Sequence, residues 1–304
     1  MIAGTCLGYA IETDLRFRFL RSSPGETSSD LKRLKVVEWR PPPEPAAAGE
    51  LLVRWRPRPD RPFHGAVHRV PDGRLVVETS DAGWFRLDPG AGVIEVDASV
   101  EPIAREVRLW TTPMLLLATI SGATPLHAAC VEIDGKAVAI CAPGGHGKTT
   151  LAAALVGRGH RLLAEDITIS DGTPPVTRAG PDLLRLRRPS LGNVDLGSAT
   201  EIVAETADRL FISTGSPDSS PAPLGAVIFL KPGDSAAIVP REGATVLADL
   251  WQVSFHLPSL EDRSRSFTAV ADLADKVPIY DLARPLSWDQ LAPAADLVES
   301  VVKR

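Results

Sequence analysis

One short segment constrains this chain more than any other part of it. Ala142-Pro143-Gly144-Gly145-His146-Gly147-Lys148-Thr149-Thr150 follows the apolar run Val138 to Cys141. It opens a second apolar stretch, Leu151 to Val156, which ends near Gly157 and Gly159. Residues 142–149 fit G-x-x-x-x-G-K-[ST], with Ala142 as the small first residue, in the strand-to-helix setting the pattern requires. Small residues let successive backbone N–H groups curl around a phosphate, and the helix start adds the positive end of its dipole. Lys148 can reach the β- and γ-phosphates, and the Thr149 hydroxyl can complete a Mg²⁺ shell. The sequence thus predicts a buried central strand, a phosphate loop and a helix in that order. The nucleotide would be held by Pro143, Gly144, Gly145, His146, Gly147, Lys148, Thr149 and Thr150. The loop alone is silent on what happens to the phosphate.

Sixteen residues after Thr149 stand two adjacent acids, Glu165 and Asp166, inside the apolar run Leu162 to Ile169. Such a strand delivers carboxylates to the loop, one for Mg²⁺ and one to take a proton from an attacking hydroxyl. Neighbouring residues on a regular strand point to opposite faces. Both acids serve one site only if the strand ends or bulges there. Further on, Leu183-Leu184-Arg185-Leu186-Arg187-Arg188-Pro189 alternates, which sets Arg185 and Arg187 on one face as candidate phosphate or substrate contacts. A solvated strand face is the alternative for that pair.

The remaining sequence frames this core. The first hundred residues read as short strands: Ile11 to Leu20, Leu51 to Trp55, Leu75 to Glu78, and a hairpin of Trp84 to Leu87 with Val93 to Val96. Proline makes up 27 of 304 residues, and Arg40-Pro41-Pro42-Pro43-Glu44-Pro45 cannot lie inside a sheet. Glu101 to Ile120 has helical spacing with a break implied at Pro113. A hairpin turning at Asp134-Gly135 precedes the loop. Beyond it, Ala226 to Leu230 and Val277 to Leu282 read as strands. Thr245 to Trp251, Phe267 to Lys276 and Trp288 to Val302 read as helices, with a looser stretch from His256 to Ser266. The division expected is 1–98, a β-rich accessory or substrate-recognition domain, and 99–304, a nucleotide-binding unit.

Composition excludes several classes. Lys and Arg number 33 against 38 Asp and Glu, a formal charge of −5, which argues against nucleic acid as a partner. No apolar run approaches the roughly 18 residues of a membrane span, and the start does not read as a signal peptide. Three scattered cysteines give neither a disulfide framework nor a C-x-x-C metal site, so a cytoplasmic setting is expected.

Residues 126–170 resemble the catalytic core of the HPr kinase/phosphorylase family and, more distantly, the phosphoenolpyruvate carboxykinases. The resemblance rests on His127, Asp134-Gly135, the loop at 142–149, Arg158-Gly159-His160-Arg161-Leu162 and Glu165-Asp166 in unbroken succession. It implies an α/β fold with a P-loop core of that type, and ATP and Mg²⁺ as cofactors. It implies catalytic roles for His127, Lys148, Glu165 and Asp166, with Thr149 and Asp166 at the metal and Glu165 as the base. His146 matches nothing catalytic in the family. The family's N-terminal domain, its glycine-rich signature beyond the acids and its HPr-gripping end are not recognisable here.

The layout also looks like a divergent branch that modifies ribosomally made precursors, lasso peptides among them. The expected activity is transfer of the γ-phosphate to a Ser or Thr hydroxyl of a peptide or small protein. A homo-oligomer is left open. A small-molecule kinase with the same core, or a nucleotide-binding regulator without transfer, are the alternatives.

Overall fold

A computed structural model describes residues 2–22, 31–56, 64–243 and 245–303. The N-terminal part forms one sheet of eight strands: β1 (Ile2–Cys6), β2 (Tyr9–Glu12), β3 (Lys32–Trp39), β4 (Glu50–Trp55), β5 (Gly65–Arg69), β6 (Leu75–Thr79), β7 (Gly83–Asp88) and β8 (Val93–Asp97). Their spatial order is β1-β2-β3-β8-β7-β6-β5-β4. The turns at Val70–Arg74 and Asp88–Gly92 join antiparallel neighbours, as their sequences predict. One expectation fails. The alternation from Ile11 to Leu20 predicts a single strand, yet β2 stops at Glu12. The backbone N–H groups of Arg18 and Phe19 donate instead to the Glu106 carboxylate, at 2.7 and 2.8 Å. A buried side chain has taken the place of a neighbouring strand.

Glu101 to Ile120 divides as the proline implies. Helix α1 (Pro102–Leu109) ends at Trp110, and α2 (Thr112–Ile120) carries Pro113 in its first turn, where a missing N–H costs nothing. Both helices pack on the N-terminal sheet. Leu109, Trp110, Met114 and Leu116 share one apolar cluster with Leu34, Val77, Phe85 and Ile94.

The next elements are β9 (Thr124–Leu126), β10 (Ala128–Ile133), β11 (Lys136–Cys141), α3 (Lys148–Gly157), β12 (Arg161–Ala164), β13 (Thr168–Asp171) and β14 (Val176–Arg178). A small antiparallel sheet then forms from β15 (Leu184–Arg187), β16 (Glu201–Glu205) and β17 (Arg209–Ser213). The chain finishes with β18 (Ala222–Pro232), β19 (Ala237–Pro240), α4 (Thr245–Val253), α5 (Leu260–Lys276), β20 (Ile279–Arg284) and α6 (Leu291–Val302). In the central sheet β11, β18 and β20 lie side by side and parallel, while β10 and β12 extend it antiparallel.

Residue chemistry explains why β11 sits at the centre. Val138 and Ile140 face one apolar layer with Leu151 and Leu155 of α3 and Val298 of α6. Ala137, Ala139 and Cys141 face another layer with Leu250 of α4 and Val270 and Leu273 of α5. A strand buried on both sides must be apolar throughout, and this one is. Helix α5 starts at Leu260, so most of the stretch expected to be loose is helical. Ser259 caps it, accepting from the Asp262 N–H at 3.1 Å, and only Val270 and Leu273 along it are buried. The charged run Glu261-Asp262-Arg263-Ser264-Arg265 hides the helical period.

Polar connections through Leu7 and Arg21 help join the N-terminal strands to this unit. Leu7 N–H donates to Ala179 C=O at 2.7 Å. Arg21, fully buried, donates to the carbonyls of Gly180, Ser216 and Leu162 at 2.9, 2.9 and 2.6 Å. Among the described residues no helix is long and apolar enough to cross a membrane.

Candidate active site

The loop leaves the C-terminal end of β11, where parallel strands of an open α/β sheet place their ligands. Pro143, Gly144 and Gly145 are exposed, so their backbone is free to meet a ligand. Gly147 has φ +82° and caps the start of α3. It must be glycine twice over, because a Cβ there would also collide with the guanidinium of Arg284. His146 Nδ1 lies 3.3 Å from the carbonyl oxygen of Gly144 in its own loop. Thr150 lies in the first turn of α3.

The acids follow the exception foreseen for them. β12 ends at Ala164, and Asp166 takes φ +72°, a left-handed conformation that aspartate tolerates better than most residues. β13 begins only at Thr168. The bend brings both carboxylates to the loop. Glu165 Oε1 accepts the Thr149 hydroxyl at 2.7 Å, and its Oε2 accepts Arg185 Nε at 2.7 Å. The other arm of Arg185 pairs with Asp166 Oδ2 at 2.7 Å. One guanidinium therefore spans two carboxylates.

His127, the single residue between β9 and β10, closes the ring. Its Nδ1 lies 3.1 Å from the Asp166 carbonyl oxygen and 3.3 Å from Asp166 Oδ1, and Nε2 lies 2.9 Å from Lys148 Nζ. An ammonium can only donate, so Nε2 accepts and the ring proton sits on Nδ1. Burial, reinforced by Lys148 and opposed by Asp166, lowers the His127 pKa below its ordinary value, which keeps this neutral tautomer. Burial likewise lowers the Lys148 pKa, against the pull of Asp166 and Glu165. Burial alone would raise the Asp166 carboxyl, but Arg185, with His127 and Lys148, holds it well below the usual carboxylate range.

Thr149 and Glu165 have the chemistry of a Mg²⁺ site. The ion takes one or two carboxylates together with phosphate oxygens and water rather than a full protein cage. Because the Thr149 proton is directed to Glu165, the hydroxyl lone pairs stay available to a cation.

The structure thus brings together His127, Lys148, Thr149, Glu165, Asp166 and Arg185. It does not bring Arg187 in. That side chain is exposed one pair further along β15. Arg185 is not on a solvated face either, with only 13% of its side chain exposed. The sequence reading overlooked Arg284. It falls in the same β20 register as Tyr280 and Leu282, on the face packed against α3 and α6. A charge in an apolar register was the available signal. Arg158 and His160, part of the resembling run, serve the fold: they bond Asp296 and Glu299 of α6 at 2.7 to 3.1 Å.

No family model matches the chain. The HPr kinase/phosphorylases of Xanthomonas campestris pv. campestris (strain B100) and Xanthomonas oryzae pv. oryzae (strain PXO99A) are each 33% identical over 119 residues. Over that stretch the chain is similar to the HPr kinase/phosphorylases. The shared stretch is 36% of this chain, which spans 37% of the length of those relatives. The solved structure of the Hpr(Ser) kinase/phosphatase from Coxiella burnetii aligns with a TM-score of 0.33 and 12% identity, covering 59% of this chain and 88% of that one. The HPr kinase-like resemblance and the α/β class, with strand, phosphate loop and helix in sequence, are both borne out.

Proposed function

We propose that this HPr kinase-like chain is a cytoplasmic, ATP- and Mg²⁺-dependent kinase that phosphorylates a Ser or Thr hydroxyl on a peptide or small protein. A ribosomally made precursor peptide is the acceptor we favour. The observation that carries the reading is the closed network at the loop: Lys148 on His127, Thr149 on Glu165, and Arg185 across Glu165 and Asp166. An ordinary Gly-rich turn has no use for six converging polar side chains.

The roles follow from exposure and bonding. Glu165 has 4% of its side chain exposed and accepts the Thr149 hydroxyl, which suits it to orienting Thr149 beside the metal. Asp166 has 32% exposed and meets the solvent side of the cleft, which suits it to accept the hydroxyl proton. This geometry favours the reverse of the order the resemblance implies. The acceptor oxygen attacks the γ-phosphorus and passes its proton to Asp166, and the bond to the bridging oxygen of ADP breaks. In a loose transition state the proton moves late, so a weakly basic carboxylate suffices. Lys148 and the loop N–H groups hold the phosphate chain, and bound Mg²⁺ supplies charge neutralisation. The N-terminal sheet, as a recognition surface for the acceptor, lies directly under the acid bend, because Ile167 and Ile169 belong to its apolar cluster.

The test is incubation with γ-labelled ATP and the precursor peptides encoded near the native gene. Label should enter a Ser or Thr, be abolished in Lys148→Ala, and fall at least about a hundredfold in Asp166→Asn, the usual scale for a general base. Normal ATP affinity with no transfer to any of these peptides, or to a panel of hydroxylated metabolites, would sink the kinase reading.

A further inference from the structure

The charges around the loop do not balance, and the excess sits on one residue. Glu165 and Asp166 are matched by Arg185 and Lys148. Arg284, at the C-terminal end of β20, is a third cation with no acid within ion-pair distance among the described residues. It is 4% exposed, and its Nε is buried with no hydrogen-bond partner. Its terminal nitrogen lies against Gly147, where a side chain would otherwise sit. Burial lowers its pKa with no carboxylate to oppose the shift.

A buried, unpaired guanidinium is costly, because desolvation is not repaid by a partner. Buried Arg21 in the same chain shows the ordinary solution, three carbonyls and a nearby Asp182. Arg284 lacks any such set. The feature next to it is a loop whose backbone N–H groups and helix start attract anions.

We propose that Arg284 is a nucleotide-binding residue whose partner is an anionic oxygen of the triphosphate seated on the 143–149 loop. The inference rests on the kinase reading and extends it by one ligand group. A guanidinium offers planar, multiple donors that match phosphate oxygens, whereas a lysine offers a point charge. The unliganded protein then carries a destabilising charge that the ligand neutralises, the expected cost of a prepared binding site.

Arg284→Gln, Arg284→Lys and wild type should be compared by thermal unfolding without ligand and by calorimetric titration with ATP and Mg²⁺. Without ligand, Arg284→Gln should melt at or above the wild-type temperature. Its ATP affinity should fall about ten- to a hundredfold, the loss of one or two charge-assisted hydrogen bonds, with Arg284→Lys in between. Unchanged ATP affinity in Arg284→Gln overturns the proposal. So does a lowered melting temperature in both variants with wild-type affinity in Arg284→Lys, because the residue is then structural. Wild-type protein that fails to bind ATP removes the kinase reading itself, a result independent of either variant.

Discussion

Arg185 holds two carboxylates that would otherwise repel each other within one bend. Replacing it with methionine leaves the buried Glu165 without its ion-pair partner and Asp166 with only Lys148 and His127 nearby. That change should lower stability by about 2–4 kcal/mol, less than a fully buried pair because Asp166 is partly exposed. The pH dependence gives the specific signature. A carboxyl depressed in the fold adds stability above its unfolded value, and that stability is lost as pH falls through the folded value. Wild type should therefore weaken steeply in strong acid, while Arg185→Met starts lower and weakens less. Urea melts at pH 7 and below pH 4 decide it.

His127 works in the opposite charge sense. Its lowered pKa means the folded protein favours the neutral ring, so this contribution is present above the unfolded value near 6.5 and lost as pH falls through the folded value. Once protonated, Nε2 can no longer accept from Lys148. Transfer should therefore hold constant from neutral pH to below the ordinary imidazole value and decline only as pH falls through the lowered folded value, and His127→Asn should abolish that decline along with part of the rate. An acid limb unchanged in His127→Asn would assign it elsewhere. At this scale much was readable from the sequence, because Lys148, Thr149, Glu165 and Asp166 carry a spacing fixed by phosphate chemistry. Arg284 was not, since its isolation depends on which neighbours the fold denies it.

Elements were legible wherever periodicity carried the information. β11 is apolar at every position from Ala137 to Cys141 because both faces are covered, and that run is visible without coordinates. α5 was legible only in its second half, because its exposed first turns contribute charges and no apolar period. The segment after β2 was misread for a related reason: alternation was present, but Glu106 took the hydrogen bonds a strand would have made. A core test belongs here. Leu155 of α3 is fully buried between the central sheet and the small sheet of β15 to β17. Leu155→Ala should cost about 2–5 kcal/mol in chemical denaturation, and ATP affinity of the folded fraction should be retained. Loss below about 1 kcal/mol would mean the site collapses around the cavity.

Across the whole molecule, the sheet of residues 2–97 and the unit that carries the 142–149 loop are topologically separate but chemically joined. The sequence suggested a boundary near residue 98 from the change in pattern alone, and pattern says nothing about what bridges it. Removing residues 1–98 strips Arg21 from three carbonyls and exposes Leu109, Trp110, Met114 and Leu116. The 99–304 fragment should be aggregation-prone, with little soluble monomer by size-exclusion chromatography. A soluble fragment that binds ATP as the full chain does would show that the two parts are independent.

The Arg21 anchor bears on how such a protein can diversify. A recognition domain tethered by a linker can be exchanged as a cassette. Here the would-be cassette supplies the only side chain seen satisfying those interior carbonyls among the described residues. If the sheet recognises the acceptor as proposed, a new acceptor preference arises by altering its exposed face and not by shuffling in another, and chimaeras joined near residue 98 should fail unless an arginine at this place comes with the graft.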